Sequence, residues 1–157
     1  MASVLSLGSN LGDRRAHLRA GLDVIASRVG VRAVSRLYAT APVGVVDQPA
    51  FLNCVAIVDT DDPLVAWSAA LSAEETRGRL RSRRWGPRSL DVDVIAVDAV
   101  VQDDPRLTLP HPRAHERAFV LRPWLDVDPD AVLPGHGPVW RLLRSLPATD
   151  VVAVGAL

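Results

Sequence analysis

The sequence predicts an α+β domain in which helices pack on a mainly antiparallel sheet. Its apolar residues recur at strand and helix spacings in the order strand, helix, strand, strand, helix, strand. This order favours the α+β class. The chain has 157 residues, with no internal repeat and no linker-like shift in composition, so we expect one domain spanning residues 1–157.

The first half of the chain predicts three strands and one helix. Residues 2–8 are apolar enough for a strand. A helix follows, because apolar residues then recur at helical spacing and Gly30 can end the helix. These apolar residues are Leu18, Leu22, Ile25 and Val29. Residues 31–39 predict the second strand, 40–50 a loop, and 51–58 a third strand that is apolar on both faces.

The second half begins with a helix and continues with a strand. Asp62 followed by Pro63 is a typical helix start, with a capping residue and then a first-turn proline. We expect the buried stripe of this helix to consist of Leu64, Trp67 and Leu71. The helix should end near Gly78, before an Arg-rich loop at 79–89, and residues 90–97 predict a strand. Short helices are expected near 119–125 and 138–146.

Composition excludes several classes of site. All eighteen basic residues are arginine, so a phosphate-binding loop ending in Gly-Lys and a lysine Schiff base are both excluded. Eighteen acidic residues balance this charge, so no overall field attracts nucleic acid or anionic lipid. The single cysteine, Cys54, excludes an internal disulfide and is compatible with a reducing compartment. With no signal peptide and no long apolar run, we expect a cytoplasmic protein without membrane association.

The main candidate for chemistry is an acidic pair on the strand at 90–97. Side chains alternate along a strand, so Asp91 and Asp93 share one face with Ile95 and Val97. The opposite face should carry Leu90, Val92, Val94 and Ala96. Neighbouring carboxylates are hard oxygen ligands that suit a pair of magnesium ions. The alternative is an edge strand whose aspartates face water.

Basic and aromatic residues extend this candidate site. Arg79, Arg81 and Arg88 could bind the phosphates of a magnesium-bound substrate, although a solvated basic loop is the alternative. His111 and His115 have the spacing of a zinc pair, but Pro112 argues against a helix through them. We therefore assign His111, with Arg117, to phosphate contacts, and regard His115 as a structural or surface histidine.

Phe51 and Asn53 lie on one face of a predicted strand, where a flat heteroaromatic ring could stack on one and hydrogen-bond to the other. The alternative is that Phe51 and Phe119, the two phenylalanines of the chain, are core residues.

Four segments together resemble the 6-hydroxymethyl-7,8-dihydropterin pyrophosphokinase family. They are LSLGSNLGDR (5–14), TAPVGVVDQPAFLN (40–53), GRLRSRRWGPRSLDVDVI (78–95) and LTLPHPRAHERAFVL (107–121). The resemblance implies a ferredoxin-like α+β sandwich. It also implies transfer of the β,γ-pyrophosphoryl group of ATP to the pterin hydroxymethyl group, giving AMP in folate biosynthesis.

The resemblance implies a role for each site residue. Asp91 and Asp93 would bind two Mg²⁺ ions, and Arg79 and Arg88 would act with them in catalysis. The ATP-binding positions would be Leu71, Glu74, Arg79, Arg81, Trp85, Arg88, Arg106, Thr108, His111 and Arg117. The pterin-binding positions would be Thr40, Val43, Phe51, Asn53, Trp85 and Phe119, with the ring between the two phenylalanines and Trp85 closing over the site.

Some positions depart from the pattern of the family. Pro112 stands where some members have tyrosine, Ser82 replaces a lysine, and Leu71 occupies a position that is polar in some members. Two other functions remain as alternatives. One is a nucleotidyltransferase that uses Gly8-Ser9 with the acidic pair, although the two are more than eighty residues apart. The other is a nucleic-acid-binding module that uses the Arg-rich loop. We expect a monomer that binds ATP and the pterin.

Overall fold

A mainly antiparallel sheet organises the part of the chain that the structure, a computed structural model, describes: residues 2–40, 50–76, 89–147 and 150–157. Its strands are β1 (Ser3–Ser9), β2 (Val31–Val34), β3 (Leu37–Thr40), β4 (Phe51–Val58), β5 (Asp91–Val97) and β8 (Val151–Gly155). The order is β5–β1–β4–β3–β8, with β2 also paired to β4, and all pairs are antiparallel. A separate two-stranded ribbon joins β6 (Val132–Leu133) to β7 (Gly137–Pro138).

Helices cover both faces of this sheet. The helices are α1 (Arg14–Arg28), α2 (Pro63–Thr76), α3 (Ala118–Val127) and α4 (Val139–Ser145), and a short 3-10 helix (Ala114–Glu116) precedes α3. One buried cluster joins α1 and α2 to the sheet, and a second joins α3 and α4 to its opposite face. We call these two sides the α1 face and the α3 face. The predicted α+β class is confirmed.

Most predicted elements lie where their sequence signals place them. β4 has the predicted bounds, and α2 begins at Pro63, where the Asp62 carboxylate accepts a hydrogen bond from the Leu64 N–H at 2.9 Å. The short helices expected near 119–125 and 138–146 are α3 and α4. Gly30 does not end α1. The helix stops at Arg28, and Val29 continues in an extended conformation.

The prediction of one strand over 31–39 was wrong, because the segment is interrupted between β2 and β3. Ser35 lies at the break and is buried. Its N–H donates to the Val55 carbonyl at 2.9 Å, and its hydroxyl accepts from the Val55 N–H, also at 2.9 Å. A side chain thus replaces a backbone acceptor, so the chain can bend without leaving a buried polar group of β4 unpaired.

The predicted buried stripe of α2 was also wrong. Leu64 is exposed, and Trp67 and Leu71 are only half-buried. The helix packs instead through its small residues, Ala66, Ala69, Ala70 and Ala73. Alanine allows a close approach between packed elements, and the half-buried Trp67 packs against the same core cluster.

The alternation predicted for 90–97 holds as far as Ile95 and is reversed at Ala96 and Val97. A bulge shifts the pairing of β5 with β1, so that Leu5 faces Val94 and Val4 faces Ala96. Ala96 therefore joins Ile95 in the cluster on the α3 face, whereas Val97 lies with the cluster on the α1 face. The two aspartates precede the bulge and keep the predicted shared face.

Several expectations fall outside the described residues. They concern the loop over 41–49 and most of the Arg-rich segment, which lies within 77–88. In the described part of the chain, no helix combines the length and the apolar character needed to cross a bilayer.

Candidate active site

A row of three residues crosses the α3 face near one end of the sheet. Gly8 of β1 lies opposite Asn53 of β4 on one side and opposite Asp91 of β5 on the other. Directly opposed residues project on the same side of an antiparallel sheet, and neighbouring strands lie about 4.8 Å apart. The buried amide of Asn53 and the carboxylate of Asp91 are therefore two strand spacings apart, with no side chain between them.

Gly8 is essential to this arrangement because a larger residue would collide with the amide. A Cβ atom at position 8 would lie 2.7 Å from Asn53 Oδ1. The Asn53 Nδ2 group in turn lies 3.4 Å from Thr40 Oγ1, which accepts from it. The missing side chain thus leaves an open floor beside an oriented amide.

The candidate pterin residues surround this floor. Phe51 lies two residues before Asn53 on β4 and pairs in register with Thr40 on β3, so both belong to the α3 face. Phe119 lies in the first turn of α3, which packs over the same face. Both phenylalanines are half-buried, so part of each side chain remains available to a ligand.

The second aspartate has a cation nearby. Arg117 Nη1 lies 3.9 Å from Asp93 Oδ2, and the Arg117 guanidinium carbon lies 5.6 Å from the centroid of the Phe119 ring. Asp93 is exposed, whereas Asp91 is half-buried. Arg117 therefore links the acidic pair to the aromatic residue of α3, and its other guanidinium N–H groups could bind an anion.

His111 reaches the same region from the segment before α3. Its backbone N–H donates to the Ile95 carbonyl at 2.8 Å, which attaches this segment to β5. Burial lowers the pKa of His111; Arg117 and Arg113 act in the same direction, and Asp93 opposes them. Its Nδ1 accepts from the Arg113 N–H at 3.1 Å, so the neutral ring carries its proton on Nε2 and can donate it to a ligand.

A cavity of about 290 Å³ lies between α2, β5 and the 105–112 segment. Six residues of the sequence prediction line it: Leu71, Glu74, Asp93, Arg106, Thr108 and His111. β5 is an edge strand of the sheet, so the cavity opens at the rim of the sheet rather than over its centre. The α2 wall of the cavity consists of Trp67, Ala70, Leu71 and Glu74, and it overlaps the surface that packs on the core.

Arg106 and Thr108 are held in place by one acidic residue at this cavity. The Asp104 carboxylate accepts from the Arg106 backbone N–H at 2.9 Å and pairs with its guanidinium at 3.3 Å, and the Asp104 carbonyl accepts from the Thr108 hydroxyl at 3.0 Å. The backbone N–H and guanidinium of Arg106 hold the pKa of Asp104 below its ordinary value.

The structure thus brings the described candidates into two adjoining groups, one on the α3 face and one at the β5 rim. Five predicted site residues lie outside the described residues: Val43, Arg79, Arg81, Trp85 and Arg88. Sequence reasoning missed Gly8 as the floor of the site and Trp67 as part of the cavity lining. The spacing of Trp67, Leu71 and Glu74 along one side of a helix was a usable signal. The family resemblance already implied ATP contacts for Leu71 and Glu74, but Trp67 was predicted only as part of the buried stripe.

His115 does not take part in either group. Its ring stacks on that of His136, with centroids 4.3 Å apart and an angle of 11° between the planes. His111 and Pro112 precede the short 3-10 helix instead of lying on a continuous helix with His115, as the proline indicated. Among the described residues there is no group of three or more potential metal ligands. The two carboxylates could still hold a metal together with oxygen atoms of a substrate or water.

Comparisons with known proteins cover most of the chain. A family model described as 7,8-dihydro-6-hydroxymethylpterin-pyrophosphokinase matches residues 4–129. The 2-amino-4-hydroxy-6-hydroxymethyldihydropteridine pyrophosphokinase of Mycobacterium tuberculosis H37Rv is 47% identical over 161 residues, covering 94% of this chain and 85% of that protein. The folic acid synthesis protein fol1 of Schizosaccharomyces pombe is 38% identical over 151 residues, covering 94% of this chain and 21% of that protein.

Solved structures show the same fold. A crystal structure of wild-type Plasmodium falciparum HPPK-DHPS with pteroate superposes with a TM-score of 0.68 at 14% sequence identity. The match covers 91% of this chain and 42% of that longer chain.

Proposed function

Because the chain belongs to the 7,8-dihydro-6-hydroxymethylpterin-pyrophosphokinase family, we infer that it transfers pyrophosphate from ATP to 6-hydroxymethyl-7,8-dihydropterin. The products are AMP and the pterin diphosphate, an intermediate of folate biosynthesis. The observation that best supports this function is the row of Asn53, Gly8 and Asp91, which adjoins the cavity lined by Asp93. The row leaves space for a flat ring on one side of the acidic pair, and the cavity leaves space for a nucleotide on the other.

We assign the pterin to the open floor over Gly8. The Asn53 amide would hydrogen-bond to the ring edge, while Phe51 and Phe119 would contact the ring faces. Thr40 orients the amide, since its hydroxyl oxygen lies 3.4 Å from Asn53 Nδ2. Val43 and Trp85, outside the described residues, would complete this pocket.

We assign the nucleotide to the cavity at the β5 rim. Leu71 gives an apolar wall, and Glu74, Arg106 and Thr108 give polar groups around it. His111, neutral at physiological pH, would donate its Nε2 proton to a phosphate oxygen, and Arg117 would add a guanidinium beside Asp93. Arg81 and Trp85 would add further contacts to ATP.

The acidic pair suits magnesium. Asp91 and Asp93 provide two hard carboxylates on one strand face, and Mg²⁺ is often held by one or two carboxylates together with substrate phosphates and water. We assign two Mg²⁺ ions to this pair. When bound, such ions neutralise phosphate charge and lower the pKa of a coordinated hydroxyl.

The residues of the chain would then act mainly by positioning and by electrostatic stabilisation. Asn53 and the phenylalanines would orient the hydroxymethyl group of the pterin toward the acidic pair, in line with the β-phosphorus. Arg117, with Arg79 and Arg88 from the Arg-rich loop, would offset the charge that develops on the transferred group. No strong general base is evident beside the acidic pair in the described residues.

One assay tests this function against the two alternatives. The protein is incubated with ATP, Mg²⁺ and the hydroxymethyl dihydropterin, and the nucleotide products are separated. Formation of AMP that requires the pterin supports the proposal. Pyrophosphate release would favour a nucleotidyltransferase, and salt-sensitive RNA binding without turnover would favour a nucleic-acid module.

We also propose that the chain is a single domain over residues 1–157 and acts as a monomer in the cytoplasm. The balanced charge and the single, buried cysteine are consistent with this assignment.

A further inference from the structure

A hydrogen-bonded cluster fixes the C-terminal end of α3 to the sheet. The Asp126 carboxylate accepts from the Tyr38 hydroxyl at 2.7 Å and from Nε and Nη2 of Arg36, each at 3.0 Å. Arg36 Nη2 also donates to the Tyr38 hydroxyl at 2.9 Å. Asp126 is 12% exposed and Tyr38 is 1% exposed, whereas the Arg36 side chain is 51% exposed and covers the pair from the solvent side. We call Arg36, Tyr38 and Asp126 the α3 clamp.

The clamp reaches further along the helix through Arg122. The guanidinium carbons of Arg36 and Arg122 each lie 5.6 Å from the centroid of the Tyr38 ring, and Arg122 Nη1 lies 3.8 Å from Asp126 Oδ1. Arg122 is three residues after Phe119, so the two side chains are neighbours on the helix surface. Tyr38 therefore contacts the helix over two successive turns.

The N-terminal turn of α3 lacks two of the usual internal supports. Pro123 lies inside the helix and has no N–H to donate to the carbonyl of Phe119, its partner four residues earlier. The residue that caps the helix, Arg117, makes no side-chain capping bond. The position of Phe119 thus depends strongly on how the rest of α3 is held against the sheet.

On the sheet side, the clamp adjoins Asn53, the amide that we assign to the pterin pocket. Tyr38 of β3 pairs in register with Asn53 of β4, so the two side chains are direct neighbours on the α3 face. The clamp is therefore connected to both sides of the proposed pterin pocket, to Asn53 through the sheet and to Phe119 through α3.

We propose that the α3 clamp positions the pterin pocket by fixing the spacing between Phe119 and the floor that carries Asn53. The inference rests on the proposed function, which assigns those two residues to the pterin. The nucleotide cavity is built from α2, β5 and the 105–112 segment, none of which contributes to the clamp. Loosening the clamp should consequently affect the pterin more than ATP.

Steady-state kinetics of Tyr38→Phe and Asp126→Asn test this selectivity. The first variant keeps the buried ring and removes only the hydroxyl, and the second keeps the side-chain shape and removes the charge. We expect the KM for the pterin to rise about tenfold in each, the loss expected from one charge-assisted hydrogen bond, while the KM for ATP stays within about twofold. Asp59→Asn, which breaks the Arg32–Asp59 ion pair outside both proposed subsites, is the matched control and should change neither constant.

A double variant separates positioning from general loss of stability. If the clamp acts through Phe119, the fold-loss of pterin affinity in the double variant Tyr38→Phe with Phe119→Ala should be smaller than the product of the fold-losses in the two single variants. Equal changes in both KM values, or losses that multiply fully in the double variant, would overturn the inference.

The two proposals can fail separately. A wild-type protein that makes no pterin-dependent AMP would overturn the proposed function. Each variant would then be titrated with the pterin in the presence of a non-hydrolysable ATP analogue. This titration tests the clamp on its own, by whether affinity for the pterin falls more than affinity for the ATP analogue.

Discussion

At the scale of single residues, the site depends as much on a missing side chain as on those present. Gly8 lies between Asn53 and Asp91, and its backbone forms the floor on which we place the pterin. Its importance comes from space rather than from backbone conformation, since the nearest obstacle to a Cβ atom is the Asn53 amide oxygen.

We predict that Gly8→Ala weakens pterin binding about five- to tenfold and leaves ATP binding unchanged, because the displaced Asn53 amide loses one hydrogen bond to the ring. Isothermal titration with each ligand measures the effect. Gly30→Ala is the matched control, since its Cβ would meet Asp59 Oδ2 at 2.9 Å away from the proposed site. An unchanged pterin affinity in Gly8→Ala would remove Gly8 from the pocket.

Asp93→Asn should lower turnover on the order of a thousandfold, because loss of a metal-binding carboxylate removes several kcal/mol of charge stabilisation. Pterin binding should change much less, since the ring contacts lie on β4 and α3. Rates of AMP formation and a pterin titration measure the two effects, with Asp23→Asn on the exposed side of α1 as the control. Near-normal turnover would refute the assignment of Asp93.

At the scale of elements, α2 combines two tasks. Its alanines pack against the core, and Trp67, Leu71 and Glu74 form a wall of the cavity. The two surfaces overlap, because Ala70 also lines the cavity and Trp67 also packs against the core cluster.

Trp67→Ala should raise the KM for ATP about tenfold and leave that for the pterin unchanged, because it removes a large aromatic surface from the cavity lining. Trp140→Ala on α4, where the side chain is 47% exposed, is the matched control. Equal effects of the two substitutions on ATP would show that Trp67 does not contact the nucleotide.

The attachment of α3 should depend on pH through Asp126. Burial alone would raise the pKa of Asp126, but hydrogen bonds from Arg36 and Tyr38 lower it overall. A carboxylate with a lowered pKa stabilises the fold above its unfolded-state pKa of about 4, and this contribution is lost as the pH falls through the folded-state value. At pH 7 the free energy of unfolding of wild type should therefore be about 2 kcal/mol larger than that of Asp126→Asn. This difference should shrink below pH 4. Denaturant unfolding across this range provides the measurement, and a difference independent of pH would contradict the assignment.

Local patterns in the sequence predicted most elements, but not the points where tertiary pairing decides the conformation. The apolar run over 51–58 was sufficient on its own to predict β4, and the Asp62–Pro63 pair was sufficient to predict the start of α2. The break at Ser35 depends on a hydrogen bond to a strand twenty residues away, and the bulge in β5 depends on its pairing with β1. β8 was missed because its exposed valines acquire a partner only when β3 is in place.

At the scale of the whole molecule, β8 is a strand through which another chain could associate. It is an edge strand, and Val152 and Val154 are exposed. Arg15 of α1 donates to the carbonyls of Val154 and Ala156 at 3.0 and 3.2 Å, and so occupies acceptors that a second strand would use.

We expect the wild-type protein to elute as a monomer of 16.9 kDa and Arg15→Ala to associate more as its concentration rises. Light scattering on a size-exclusion column measures both masses. Arg19→Ala, an exposed arginine one turn further along α1, should behave as wild type. A wild-type dimer would overturn the proposed monomer.

The composition of the site was easier to predict than its arrangement. The acidic pair and His111 were singled out because carboxylates and an imidazole suggest their chemistry directly, whereas the pterin role of the two phenylalanines followed only from the family resemblance. Gly8 and Trp67 carry no such chemical signal, and only the folded chain places one beside Asn53 and the other in the cavity. The order of strands across the sheet, which determines these neighbours, is not contained in any single motif.

The position of β5 at the rim of the sheet has a consequence for inhibitors. The proposed pterin floor lies on the broad surface of the sheet, whereas the nucleotide cavity opens at its side. A compound that joins a pterin analogue to an adenosine analogue must therefore turn a corner around this strand. The angle that its linker can adopt, more than the length of the linker, should determine how well both ends are accommodated.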